Sequence, residues 1–189
     1  MPFARLVSGG TLLRTPDPPL IETPHDEVMR LFAAHGTSLY RFCLFVVHHR
    51  QDAEDVVQDT FVKLLEHLTR EGDRSKVRSW LFTVAANGCR DRLRRRRKWL
   101  PWQSETDMRT IAAEVDGDHE ASERRRALHD AAKALSPRDR LLLMLRVQGL
   151  SYREIARGAG IPETSVGKLL ARARLRWKEG FQRVYGDRS

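Results

Sequence analysis

The sequence holds little cysteine, no long apolar run and no strand-like alternation. Each absence removes a class of protein. Cys43 and Cys89 are the only cysteines, and each sits in a helical apolar pattern. Two thiols so placed predict buried residues in a reducing compartment rather than a disulfide framework or a metal pair. No apolar stretch approaches the roughly 20 residues that span a bilayer, so no membrane insertion is expected. The N-terminus, "MPFARLVSGGTLLRTPDPP", lacks a sustained apolar h-region and reads as no secretory signal. The expected location is therefore the cytoplasm. His25, His48, His49 and His67 show no zinc spacing with cysteine, and no metal or cofactor is expected.

What the chain has in excess is positive charge. Its 189 residues carry a net charge of +9, which points to a polyanionic partner, nucleic acid before membrane. The basic residues are not spread evenly. Seven Arg or Lys fall between Cys89 and Lys98, whereas residues 101–120 hold six acids and one arginine. The apolar residues follow helical spacing in both halves. The expected fold is all-α: two small helical domains, 25–100 and 121–185, joined by a flexible acidic linker at 101–120. A leader of residues 1–24, rich in Pro, Gly and Thr, is expected to be flexible. The linker predicts modules that move semi-independently.

In the second domain, Ser136-Pro137-Arg138-Asp139 is a helix start, with a Ser cap, Pro in the first turn and an acid behind it. Ser151-Tyr152-Arg153-Glu154 is a capping box. Ile155, Ala156, Gly160, Ile161, Val166 and Leu169 then occupy the constrained positions of a helix-turn-helix, with glycine where the turn needs positive φ. With Val166 and Leu169 inward, Thr164, Lys168, Ala171 and Arg172 lie outward. In such motifs that side enters the major groove. Arg174, Arg176 and Lys178 suit phosphate contacts or structure. Gly167 is a glycine inside this helix, where it costs about 1 kcal/mol against alanine.

The first domain carries two charged faces. In "DAEDVVQDTFVKLLEHL", Asp52, Asp55, Asp59 and Glu66 share a side opposite the apolar stripe, a protein-docking surface if not a solvated face. In "SKVRSWLFTVAANGCRDRLRRRRKW", Thr83, Asn87, Arg90, Arg94 and Arg97 align on one face, and arginines beside tryptophans suit unpaired nucleic acid. Two other readings compete. A stand-alone helix-turn-helix repressor or activator would need a dimerisation or ligand module, and none is evident. A Mg²⁺ nuclease or recombinase using Asp52, Asp55 and Asp59 would need carboxylates converging in a pocket, and these lie along one helix face. No catalytic residue is assigned, and the chain is read as a non-enzyme.

The motifs "DAEDVVQDTFVKLL", "VRSWLFTVAANGCRDRLRRRRK" and "ALSPRDRLLLMLRVQGLSYREIARGAGIPETSVGKLLARAR", in that order, resemble an extracytoplasmic-function (ECF) sigma factor, the small branch of the sigma-70 family. The resemblance covers roughly residues 25–185. It implies that Asp52, Asp55, Gln58 and Asp59 contact core RNA polymerase. It implies that Asn87, Arg90, Arg94 and Arg97 meet the −10 element, with the loop Gly72 to Lys76 holding an unstacked base. Glu163, Thr164, Ser165, Lys168 and Arg172 would read the −35 element. The implied partners are the polymerase, through its β′ clamp helices and β subunit, promoter DNA and an anti-sigma factor. The sequence departs from the family pattern at Gly88 and Gly167, where larger or polar residues are common. Residues 1–24 lie outside the resemblance.

Overall fold

The computed structural model describes residues 23–70, 72–99, 132 and 135–186. The linker at 101–120 and all but the last two residues of the leader lie outside the described residues. Among those described, six helices follow one another: α1 (Pro24–Val47), α2 (Arg50–Thr69), α3 (Val77–Trp99), α4 (Pro137–Val147), α5 (Tyr152–Ala159) and α6 (Glu163–Gly186). None is long and apolar enough to cross a membrane.

Local chemistry sets the helix ends. Thr23 caps α1: its hydroxyl accepts from Asp26 N–H, the Asp26 carboxylate accepts from Thr23 N–H, and Pro24 opens the first turn. The helix thus begins inside the expected leader. The corner between α1 and α2 is made by the two adjacent histidines. His48 takes the left-handed conformation at φ 53° and its N–H closes on Leu44 O. His49 caps α2, its Nδ1 accepting from Asp52 N–H at 3.2 Å. The second half starts as its sequence signals. Ser136 caps α4 through Asp139 N–H. Ser151 and Glu154 form the reciprocal capping box of α5, and Gly160 ends that helix at φ 63°, where a side chain would be strained.

The Glu154 carboxyl titrates below its usual 4.5, chiefly because the Ser151 hydroxyl and backbone donate to it. Hydrogen bonding to the charged form has that sign. The stabilisation is full above the unfolded value and is lost as pH falls through the lower folded value. Ser151→Ala is expected to lower unfolding free energy by about 1 kcal/mol in urea titration at neutral pH. That deficit should shrink in acid, and a deficit independent of pH would contradict the role of the carboxylate.

Helices α1, α2 and α3 pack around Leu39, Phe42, Val46, Leu64, Leu68, Leu81 and Phe82, all buried, with Phe42 and Phe82 edge to face at 5.4 Å between centroids. Cys43 and Cys89 are free thiols within this core. Burial, then contact with Cys89, pushes the Cys43 thiol well above its ordinary value. Helix α3 crosses α2 closely at Gly88, where an added Cβ would come within 3.0 Å of Val56 Cγ1. Gly88 therefore faces the neighbouring helix.

The two halves do not stand apart. Helix α3 packs against α5, and α1 against α4. One apolar core runs from Val28 through Ala85 and Ala86 to Leu145, Ile155 and Leu170. This differs from the expected semi-independent modules, and the reason lies in α3. Small residues on more than one of its sides let α2 and α5 approach from different directions.

Candidate nucleic-acid and polymerase interfaces

Helix α6 sets its reading face by helical period. Val166, Leu170 and Ala173 are buried, at spacings of four and three, and lock the helix onto α4 and α5. Leu169, expected inward, is only partly buried at the edge of the core. Thr164, Lys168 and Arg172 are exposed together on the opposite side, with Glu163 exposed and Ser165 half-buried at the N-terminal end. At Gly167 an added Cβ would make only an ordinary 3.5 Å contact with the Tyr152 ring, so packing alone does not demand glycine there. Arg176 points away from this face. It bonds Asp139 Oδ2 at 2.6 Å, and Asp139 is 1% exposed.

The acidic face of α2 meets α3 through Arg92 and Arg96, which are not among the residues aligned with Asn87 and Arg90. Arg96 Nε lies 2.8 Å from Asp52 Oδ2. Arg92 bridges two carboxylates, Asp55 at 2.9 Å and Asp59 at 3.3 Å. Arg94 pairs along its own helix with Asp91. Asp52 is mostly covered, while Asp59 is 62% exposed. Arg97 lies on α3, but its side chain is outside the described ones. Among the described residues no group of three or more His, Cys, Asp or Glu is placed to hold a metal ion, and the three aspartates are committed to guanidinium groups.

Gln58 lies on another side of α2, at an apolar groove of about 800 Å³ between α1 and α2. Val28, Phe32, Phe61, Val62 and Leu65 line it. Phe32 and Phe61 meet edge to face at 4.9 Å. Phe32 and Val62 are about half exposed. The sequence pattern counts Phe32 and Leu65 as core, yet both are open to solvent. A signal was present: α2 has adjacent apolar pairs at Val56–Val57, Phe61–Val62 and Leu64–Leu65, more than one buried stripe can use.

On α3, Thr83, Asn87 and Arg90 are half-buried rather than open, and α5 lies against Thr83 and Arg90. Arg90 Nη1 donates to Gly158 O at 3.2 Å, at the C-terminal end of α5, where a cation is favoured by the helix dipole. The loop from Gly72 to Lys76 is tied to α1 by Arg74–Glu27 at 3.0 Å. Its Asp73 carbonyl lies 3.3 Å from His67 Nε2, and His67 stacks on Trp80.

A helix-turn-helix with an exposed cationic reading face, joined to a helical half with an arginine-rich helix, defines a DNA-binding protein of the transcription machinery. Residues 31–98 match sigma-70 region 2, and residues 125–176 match sigma-70 region 4. RNA polymerase sigma factor CarQ of Myxococcus xanthus is 33% identical over 155 residues, covering 82% of this chain and 84% of that protein. ECF RNA polymerase sigma factor SigM of Bacillus subtilis is 28% identical over 163 residues, covering 86% and 98%. A sigma factor RpoE from Bartonella quintana, solved in complex with the anti-sigma factor NepR, shares the fold at a TM-score of 0.65 and 22% identity, covering 82% and 97%. The chain belongs to the ECF sigma factors of the sigma-70 family. Its function is promoter-specific transcription initiation with RNA polymerase.

Proposed function

We propose how that work is divided among the residues. The −35 element is read by the N-terminal half of α6, through Glu163, Thr164, Ser165, Lys168 and Arg172. The observation that carries this reading is the exposure of Thr164, Lys168 and Arg172 on one side, opposite Val166, Leu170 and Ala173. Thr164 sits where free amides favour a phosphate, and Lys168 and Arg172 are one turn apart. The −10 element is met by α3 through Asn87, Arg90, Arg94 and Arg97. Core polymerase docks on α2 along Asp55, Gln58 and Asp59, with Asp52 holding Arg96 behind them, and the apolar groove beside Gln58 extends that surface. The anti-sigma factor expected as a partner competes for the same surface. The protein is regulatory and non-catalytic, and acts in the cytoplasm with the polymerase.

The test is run-off transcription with core polymerase from a promoter library randomised across the −35 element. Lys168→Ala is expected to relax preference at one or two positions by about 1–3 kcal/mol, the size of a good base contact. An unchanged preference profile at lower yield would make Lys168 a phosphate clamp. A chain that produced no initiation at any promoter would remove the whole assignment.

A further inference from the structure

The reading helix carries a glycine that its own packing does not require. Gly167 is the fifth residue of α6. An interior glycine weakens a helix relative to alanine, and no special backbone angle calls for one here: the positive-φ glycines are Gly149 and Gly160. Gly88 and Gly158 are each pressed against a neighbouring helix, where an added Cβ would meet Val56 at 3.0 Å and Ala86 at 3.1 Å. At Gly167 an added Cβ would meet, among the described residues, only the Tyr152 ring, at an ordinary 3.5 Å.

The surroundings of this glycine are fixed and open to solvent. By helical period Gly167 lies about 60° round α6 from Thr164 and about 100° from Lys168. It therefore stands at the border of the exposed reading face, on the side turned to α5. Tyr152, the first residue of α5, forms the wall there and is 44% exposed. Its ring is held in place by Arg146, whose guanidinium lies 5.7 Å from the ring centroid. Arg146 Nη1 also donates to Leu150 O at 3.2 Å. The Ser151–Glu154 capping box fixes the backbone at the root of the ring.

We propose that Gly167 is a close-approach site for the DNA backbone: its bare main chain and the Tyr152 ring form a notch that seats a deoxyribose of one −35 strand. The inference deepens the reading of α6 as the −35 helix and rests on it. Glycine lets another backbone come near where any side chain would stand in the way. The C–H face of a sugar is apolar and matches the face of an exposed aromatic ring. The Arg146 cation on the same edge attracts the flanking phosphates through space. Sugar contacts fix register and orientation but carry no sequence. Gly167 thus sets how deeply α6 sits, while Thr164, Lys168 and Arg172 do the reading.

The experiment uses the full chain bound to core polymerase, with Gly167→Ala and Gly167→Leu beside the parent. Affinity for promoter duplex, base preference across a randomised −35 element and the salt dependence of binding are measured, together with the urea midpoint of the free chain. Both replacements are better helix formers than glycine, so midpoints at or above the parent's are expected. Affinity is expected to fall in Gly167→Ala and to fall further, by about tenfold, in Gly167→Leu, within the range that overpacking a close contact imposes. The loss should be even across sequences. The salt slope of Gly167→Ala should match the parent's, because a sugar releases no counterion, whereas a lost phosphate contact lowers the slope by about one. Gly167→Leu binding within twofold of the parent overturns the proposal. So does a new preference at one base pair, which would turn residue 167 toward the base edges. A midpoint that falls together with affinity assigns the glycine to packing and also overturns it. A parent with no preference anywhere in the −35 element removes α6 as the reader, whereas a parent with preference and indifferent Gly167 variants keeps that reading and removes only the notch.

Discussion

Core RNA polymerase is expected to bind a Val62→Asp variant about 100-fold more weakly than the parent, equivalent to about 3 kcal/mol. Val62 is 54% exposed, so a carboxylate there is well solvated in the free chain. Surface changes of that kind stay within about 0.5 kcal/mol of parent stability. If the groove is part of the docking surface as proposed, docking takes the new charge out of water against the apolar side chains of Phe32 and Phe61. Asp59→Lys makes the contrasting case. It alters an exposed residue but also places a second cation near Arg92, so its effect mixes docking with weakened α2–α3 pairing. Pull-down affinity and thermal melting, measured together, separate the two. Val62→Asp binding within twofold of the parent would take the groove out of the polymerase surface.

The second large effect concerns stability. Arg176→Ala leaves the buried Asp139 carboxylate without its guanidinium partner; because Arg176 itself is 53% exposed, the cost is that of a buried acceptor left unpaired, about 1–3 kcal/mol. Binding to −35 duplex should fall with the unfolding of the helix-turn-helix, evenly across sequences. Arg176→Lys should recover part of the loss, since it keeps charge without the planar fork. Arg174→Ala, at an exposed position, should leave stability within about 0.5 kcal/mol. Equal urea midpoints for Arg174→Ala and Arg176→Ala would contradict the pairing.

Much of this architecture can be read along the chain where the cause is local. Ser136, Ser151 with Glu154, and Gly160 announce helix ends because caps and turns are settled within a few residues. The outward set on α6 follows from period, although the inward partner of Val166 is Leu170 more than Leu169. What depends on distant partners is hidden. Asp52, Asp55 and Asp59 look like a free acidic face, and only the crossing of α2 and α3 brings Arg92 and Arg96 onto them. Phe32 and Leu65 share the spacing of core residues, and periodicity cannot say that none of the described helices covers them. The cover over Thr83 and Arg90 comes from α5, some seventy residues downstream, through contacts no window of sequence contains.

The bridging of Arg92 between Asp55 and Asp59 has a consequence for measurement in salt. When a protein binds DNA, each cation that newly neutralises a phosphate releases a condensed counterion, and the slope of log affinity against log salt counts those events. Arg92, Arg94 and Arg96 already carry carboxylate partners within the chain. Their charge is part-spent before DNA arrives, so the basic run overstates the ions released. A titration from low to moderate salt should give a shallower slope than seven cations imply. That slope should steepen when Asp55 and Asp59 are both neutralised to asparagine, because Arg92 then meets phosphate with no prior partner.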